Sequence, residues 1–386
     1  KIINQNDIYQ GYASASETKA FREQTGEEAL WTTRMFSGMP AYLINIVYQG
    51  ELVDYVQKLI SVGLPASAQV VFLSFLCFYI LLVSFRVRPF LAFAGAIAYA
   101  FNTFNLISVE AGHIWKVRAI AYMPLVVSGV HLILGTTKRW LGLGLLSVAV
   151  SLEIHANHLQ ITYYLFLFLI PYGIVLLIQT IKEKTFKDFG IRVAFLLVAA
   201  VIGVGSNAAR LWTTVEYGSY STRGKSELTT ASAAGKSGLD RDYVFNWSYG
   251  IQESFTLLIP NFYGGASAMS LDVDSHLGKE MVRRGVQRGQ VRSQLQSVLT
   301  YWGQQPGVAG PSYLGAIVLF FAVIGIFFVN KPIRNWLVSA AILGLLLSWG
   351  KNFSAFNDLM YDFFPGYNKF RSVSMAMVIP LLGVPL

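Results

Sequence analysis

Nine apolar stretches, at 62–85, 90–109, 119–135, 140–154, 159–181, 190–208, 312–330, 333–349 and 373–386, dominate this 386-residue chain. A helix that crosses a bilayer needs about 20 mainly apolar residues, because each adds roughly 1.5 Å across a hydrocarbon layer about 30 Å thick. The recurrence predicts a chain that crosses a membrane about nine times, the stretches at 119–135 and 140–154 being short enough to be partly re-entrant. Lipid offers no partners to backbone N–H and C=O groups, so only helices and closed barrels span it. A barrel would show alternating segments of roughly 10 residues; these unbroken runs predict helices, and the fold class is an all-α polytopic membrane protein. Charged residues make up 13% of the chain, about half the share usual in a soluble domain. The net charge of +9 does not indicate nucleic acid, because many of the basic residues sit in short clusters between apolar runs. The single cysteine, Cys77, excludes an intrachain disulfide and a cysteine-rich metal site.

The short connections give an orientation. Arg86 with Arg88, Lys138 with Arg139, Lys182 with Lys184 and Lys187, and Lys331 with Arg334 lie in alternate turns. Short basic turns stay in the cytoplasm. The segments 1–61, 110–118, 155–158, 209–311 and 350–372 then fall on the other side. The first of these carries five Lys/Arg against seven Asp/Glu, as an exported loop should. The chain divides into a first external loop with interfacial helices (1–61), a six-span bundle (62–208), a large external loop (209–311) and further spans (312–386). Within the first loop, 41–60 places Leu43, Ile46, Val47, Val53, Val56, Leu59 and Ile60 on one helical face, which predicts a helix lying in the membrane interface. The stretch 219–238, rich in Ser, Thr, Gly and Ala, reads as a mobile loop. A polar start at Lys1 and an end inside an apolar run point to a helix before Lys1 and more sequence after Leu386.

Polar clusters gather where helices should emerge on the external side. Asp7 could act as a general base or bind a cation, or simply cap a helix. Glu110, His113, Lys116 and Arg118 follow one another at a helix end, where three cations could hold a phosphate or anchor the chain among headgroups. His155 and His158 share a helical face, close to Glu153. With Glu110 and His113 they lack the ligand spacing of a recognisable metal site, so no metal is assigned, and a hydrogen-bonded cluster facing the bundle interior is the simpler reading. His131, alone in an apolar helix, should be packed within the bundle. Asp240, Arg241 and Glu253 lie among aromatic residues that suit either a carbohydrate or headgroup platform, or an ordinary folded loop. Lys369 and Arg371, just before the last span, could bind a lipid phosphate or anchor at the interface.

Several of these segments together carry a resemblance to the bacterial YfhO-like membrane proteins. They are NQNDIYQ at 4–10, TGEEALW at 25–31 running into FSGMPA at 36–41, Gly112-His113 with Lys116, LIPNFYGG at 258–265, YWGQQP at 301–306, LSWGKN at 347–352 and YNKFR at 367–371. They spread across nearly the whole chain. That family is similar to the GT-C class of membrane glycosyltransferases, which implies a GT-C-like helical bundle with large external loops in the bacterial inner membrane. The resemblance further implies a polyprenyl-phosphate sugar donor, an envelope acceptor, and Asp7 at the position of the class's acidic catalytic residue. His113, Lys116, Arg118, Lys369 and Arg371 would face the donor phosphate. Glu110, His155, His158, Asp240, Arg241 and Glu253 would line the site. No cofactor is required by this reading, although a divalent cation is left open. The partners implied are membrane lipid, donor and acceptor, with no nucleic acid, and a membrane complex partner is also left open. Two other classes fit the same chain: a transporter or flippase of a lipid-linked or anionic substrate, and a non-catalytic subunit of an envelope assembly. A transporter would place its charges near mid-membrane, whereas the clusters here lie at predicted helix ends.

The orientation is testable by thiol labelling in a Cys77-free background. A cysteine introduced at Thr137 should be protected from an impermeant reagent in intact cells, and one at Ser232 should be labelled; the reverse pattern would invert the topology.

Overall fold

A computed structural model describes residues 5–48, 51–221, 224 and 238–386. Its elements run in chain order as α1 (Asn6–Ser14), α2 (Ser16–Thr25), the hairpin β1 (Trp31–Thr32) and β2 (Met39–Pro40), α3 (Leu52–Ile60), α4 (Ala66–Ser84), α5 (Pro89–Ala100), α6 (Thr103–Glu110), α7 (Ile114–Leu134), α8 (Arg139–His155), α9 (Leu159–Glu183), α10 (Phe186–Gly205), α11 (Ala208–Gly218), α12 (Arg241–Phe245), α13 (His276–Arg283), α14 (Arg288–Gln294), α15 (Ala316–Phe328), α16 (Lys331–Ser348), α17 (Ser354–Phe363) and α18 (Val378–Gly383). Every apolar run is helical, but fewer are full-length spans than the count of nine suggests. Four helices, α4, α7, α9 and α10, are long and apolar enough to cross a membrane, and up to six spans result if two bent pairs count as one each. The pairs are α5 with α6, bent by 44°, and α16 with the segment ending in α17, bent by 113°. The breaks differ: Asn102 accepts from the Asn105 N–H to begin α6, whereas Gly350, at φ 46°, turns the chain out of α16. The chain is thus an all-α, multi-pass membrane protein.

α7 is the axis of the bundle. Its apolar window is 89% buried, against 39% for α4, 33% for α9 and 11% for α10. α7 therefore contacts protein almost all round, while α10 shows most of its surface to lipid. Lipid is as apolar as leucine, so close backbone approach rather than hydrophobic segregation joins membrane helices. Glycines supply that approach: a Cβ on Gly129 would lie 2.8 Å from the Leu146 backbone, and one on Gly142 would lie 2.9 Å from the Ile133 backbone. A third, on Gly203, would meet Val150 at 2.7 Å. These contacts knit α7, α8 and α10. A second knot is aromatic. Trp336 donates from its indole to the Phe168 carbonyl at 2.9 Å and stacks on Tyr172, which bonds His131 at 3.0 Å. His131 is packed inside the bundle, as expected for a lone histidine in an apolar helix.

The two ends of the bundle differ. At one end Arg139 and Arg192 both clasp Asp188, and Arg192 also donates to the carbonyls of Ile133, Leu134 and Thr136. This end holds the turn 135–138. The other end gathers the polar connections. Gln69 at the start of α4 meets Arg118 of α7, Gln160 of α9 reaches the Arg371 carbonyl, and Asn207 after α10 donates to the Ser151 carbonyl of α8.

Residues 5–48 and 51–61 hold two helices, a short hairpin and α3, tied together by side-chain bonds. Glu17 accepts from both hydroxyls and one amide of Thr32 and Thr33, and Arg22 pairs with Glu28 while donating to the Asn45 carbonyl. The predicted 41–60 helix is restricted to α3, preceded by a single 3-10 turn, Ala41–Leu43. α3 has three faces: Val53 and Gln57 are buried, Leu52, Tyr55 and Leu59 are exposed, and Glu51 with Asp54 turn to a polar cluster described below. Most of the stretch 219–238, expected to be a mobile loop, lies outside the described residues.

The glycine seam makes a stability prediction. Gly129→Leu should drive a side chain into the backbone of α8, where overpacking costs about 1–3 kcal/mol or more. The detergent-solubilised variant should show a lower Tm and less monodisperse protein than Gly144→Leu, whose Cβ meets nothing within 4 Å. Equal behaviour of the two would remove the seam from the account of packing.

Candidate functional site

Asp7, His113 and Lys116 form a continuous polar chain. His113 Nε2 lies 2.9 Å from Asp7 Oδ2, and His113 Nδ1 lies 3.1 Å from Lys116 Nζ. An ammonium can only donate, so Lys116 places the ring proton on Nε2, directed at the carboxylate. Local backbone geometry produces this contact. Gly112 has φ 90°, and a Cβ there would come within 3.3 Å of Asp7 and 3.4 Å of Gln5. The glycine admits the N-terminal segment onto the turn between α6 and α7, where Gln5 donates to the Val109 carbonyl. His113 is the N-cap residue of α7, and Lys116 lies in its first turn.

Asp7 and His113 are about half exposed, whereas Lys116 is buried, its ammonium 5.1 Å from the centre of the Phe104 ring. The site is a wet carboxylate backed by a desolvated cation. Burial pushes the His113 imidazole below its ordinary value; the Lys116 charge pushes it further, and Asp7 partly restores it. His158, capping α9, feels the same Lys116 charge, and burial first and that charge second bring it down to about 4.

The other candidate residues divide into separate groups. Arg118 is buried and committed: it donates to Gln69 at 3.0 Å and covers the Trp115 ring, and with the Gln57 carbonyl oxygen turned toward it, Gln57 accepts two more bonds at 3.0 and 3.1 Å. Glu110 is exposed at the end of α6. Asp240 caps α12, and Arg241 pairs with Asp358 at 2.8 Å. Glu253 is buried and accepts from Tyr301 at 2.8 Å, Gln305 at 2.9 Å and the Gly250 amide at 3.0 Å. That carboxylate ties the turn at Gly250 to the YWGQQP segment, which is a structural task. Arg371 bonds the Tyr243 hydroxyl at 2.6 Å and sits over the Tyr243 and Trp247 rings, while Lys369 ends the adjacent Tyr367–Lys369 turn. Arg371 reaches the start of α9 through its backbone, and its guanidinium faces aromatic residues rather than Asp7.

The histidines do not share one cluster with Glu110. His113 belongs to Asp7 and Lys116, whereas His155 belongs to Glu51 and Asp54 of the first segment. His155 Nε2 is 3.0 Å from Asp54 Oδ1, and Nδ1 is 3.6 Å from Glu51 Oε2. Arg210 of α11 donates to that same Glu51 oxygen at 2.9 Å. Glu51 and Asp54 lie off the apolar face of the 41–60 pattern, and no motif marks Arg210. Their shared helical side was the available signal, but nothing in the spacing pairs it with a residue 100 positions away.

The dyad geometry has a measurable consequence. An anion beside an imidazole attracts its proton, so Asp7→Asn should lower the His113 pKa further, and Lys116→Ala should raise it. Histidine NMR titrations of the labelled protein in nanodiscs will read both; a rise on Asp7→Asn would contradict the contact.

A family model described as bacterial membrane protein YfhO matches residues 70–270 of this chain. Neither a curated protein nor a solved structure matches it. The matched region takes in His113, Lys116 and His158 but not Asp7, and covers just over half of the sequence. With its multi-pass helical bundle and the polar chain at one end, this protein belongs to the YfhO family of bacterial membrane proteins.

Proposed function

We propose that this protein is a GT-C-type glycosyltransferase that moves a sugar from a polyprenyl-phosphate donor to an envelope acceptor on the non-cytoplasmic face of the bacterial inner membrane. The observation that carries the reading is the Asp7–His113–Lys116 chain, a half-exposed carboxylate 2.9 Å from a neutral imidazole that a buried ammonium contacts at 3.1 Å. Such a reaction needs a base for the incoming hydroxyl, positive charge for the departing phosphate, and an apolar surface for the donor's tail. Asp7 and Lys116 belong to this chain of contacts, and Leu106 and Trp115, on the two helices that flank Gly112, are exposed apolar side chains.

In the proposed step the acceptor oxygen attacks the anomeric carbon and its proton passes to Asp7. The bond from that carbon to the phosphate oxygen breaks, and polyprenyl phosphate leaves with the electron pair. Hydrogen bonding from His113 orients the carboxylate. Lys116, Lys369 and, after it leaves the Tyr243 and Trp247 rings, Arg371 supply charge to the leaving group. Arg118, already held by Gln57 and Gln69, acts by positioning the start of α7 rather than by contacting phosphate. Lys116 lies in the first turn of α7 rather than outside the span, so its replacement also alters a buried helix end.

Purified protein would be given a polyprenyl-phosphate sugar and followed for transfer to envelope acceptors. Asp7→Asn keeps the size and most hydrogen bonding but cannot take the proton, and should cost about 10²–10⁴-fold in rate. Lys116→Ala should weaken donor use. Full activity in Asp7→Asn would remove Asp7 from the mechanism. Donor movement across the bilayer, with no transfer by wild type, would assign the protein to the transporter class.

A further inference from the structure

We infer that segment 251–262 of the long 209–311 connection is set into the lipid leaflet on its own side of the membrane, and that the groove between it and α15 is filled by an acyl chain of a bilayer phospholipid. The inference stands apart from the glycosyltransferase reading. Ile251, Phe255, Leu258, Ile259 and Phe262 recur at the three- and four-residue spacing of a helical face. They lie on and beside the 3-10 helix Gln252–Leu257, and each is 44–54% exposed. Glu253, Thr256 and Leu257, between them in sequence, are buried. The pattern is inside out: the carboxylate is enclosed and the large apolar side chains point away from the protein. A contiguous exposed apolar face marks an interaction surface.

Three observations identify the occupant as lipid. The first is charge. Glu253 is the one Asp, Glu, Lys or Arg from 243 to 271, and none occurs from 293 to 330. These two stretches pair with each other at Gly264 with Tyr301 and at Met269 with Val298. The charges between them fall in 272–292, which carries α13 and α14, where Arg283, Arg284 and Arg288 are exposed. Charge is thus absent from the stretches beside α15, as it must be next to hydrocarbon. The second is length. The 13 residues of α15 reach roughly 20 Å, about 10 Å short of a hydrocarbon layer about 30 Å thick. No residue of α15 is buried, and its far end leads into the basic Lys331 and Arg334 turn. Segment 251–262 adjoins the opposite end, where the remaining thickness has to be covered. The third is the groove itself, about 720 Å³, with Phe255, Leu257 and Leu258 on one wall and Ile317, Phe320 and Val323 of α15 on the other. It continues the lipid-facing surface of that helix.

The segment is built to sit there. Backbone groups near lipid need partners within the protein, and these have them: the Leu258 and Ile259 amides donate to the Phe255 carbonyl at 3.0 and 2.8 Å, and the Leu314 amide donates to the Leu257 carbonyl at 3.1 Å. Ser254 is the one polar residue lining the groove, and its hydroxyl accepts from the Trp349 indole at 2.7 Å. That bond ties the segment to the end of α16, while Thr103 at the start of α6 donates to the Pro311 carbonyl at 2.8 Å. Both walls are therefore held at the level of helix ends. Trp302, whose amide donates to the carbonyl of Tyr263 next to Phe262, is 79% exposed; indoles gather at the headgroup level.

Spin labelling of the full chain tests this, with one copy per nanodisc of phosphatidylethanolamine and phosphatidylglycerol. In a Cys77→Ala background, single cysteines would replace Phe255, Ile259 and Ile317, with Phe321 of α15 and Arg284 of the charged part as references. Collisions of each label with oxygen, which concentrates in hydrocarbon, would be compared with those of a water-soluble nickel chelate. Oxygen collisions should exceed nickel collisions at Phe255, Ile259 and Ile317, as at Phe321, and fall below them at Arg284. Should one variant fail to fold, Ile251→Cys and Phe262→Cys read the same face. Nickel in excess at Phe255 and Ile259 would put the segment in water and overturn the inference. Exclusion of both reagents would overturn it too, by showing that protein covers the face instead of an acyl chain. Because no sugar donor enters the assay, its outcome is independent of whether the protein transfers sugar.

Discussion

Inside a bilayer, a polar group that fails to find a partner within the protein finds none at all. That constraint organises this molecule more than any single contact. It confines the spanning segments to helices and sends Lys116 and Arg118 to the end of α7, the most enclosed of the long helices. Both are nearly buried, and both are answered: Lys116 by His113 and the Phe104 face, Arg118 by Gln57, Gln69 and Trp115. Glu153, buried in α8, takes a bond from Thr162 across the turn into α9. At the opposite end, the same requirement draws Arg139 and Arg192 onto Asp188.

Because lipid does not push helices together, the bundle depends on shape. Glycines on α7, α8 and α10 remove the side chains that would hold backbones apart, and the contacts that follow make α7 an axis. Its enclosure matters for function. An axis embedded on all sides cannot tilt or translate without repacking its neighbours, so the polar residues at its start are held at a defined height. The N-terminal segment then docks on the turn at Gly112, and Asp7 meets His113 there.

The first segment reaches the bundle at Gly112 through Gln5 and Asp7, at the start of α7 through Gln57 and Arg118, and at the end of α8 through Glu51 and Asp54. Apolar contacts join it as well: Val53 belongs to the main core, and Ile8 packs with Val109, Ile114 and Val117.

Several features were legible in the residues alone. The apolar runs determined helices and a membrane setting, and the Gly112-His113 pair with Lys116 marked the candidate site. Each is local: hydropathy and charge act over one helix or one turn, so a linear reading can find them. Tertiary structure decided what locality cannot. It shortened the 41–60 helix to α3 because the preceding residues pack instead around the hairpin and Arg22. It bent two apolar runs, one at the Asn102 cap and one at Gly350, and left others too short to cross alone. It took Asp240 and Glu253 out of the candidate site by employing them as a cap and a loop tie. It also parted His155 from His113 and gave it Glu51 and Asp54, because the end of α8 faces α3 while the start of α7 faces α1. Which carboxylate meets which histidine depends on how helices pack across more than 100 residues of chain, and spacing along the sequence carries no record of that choice.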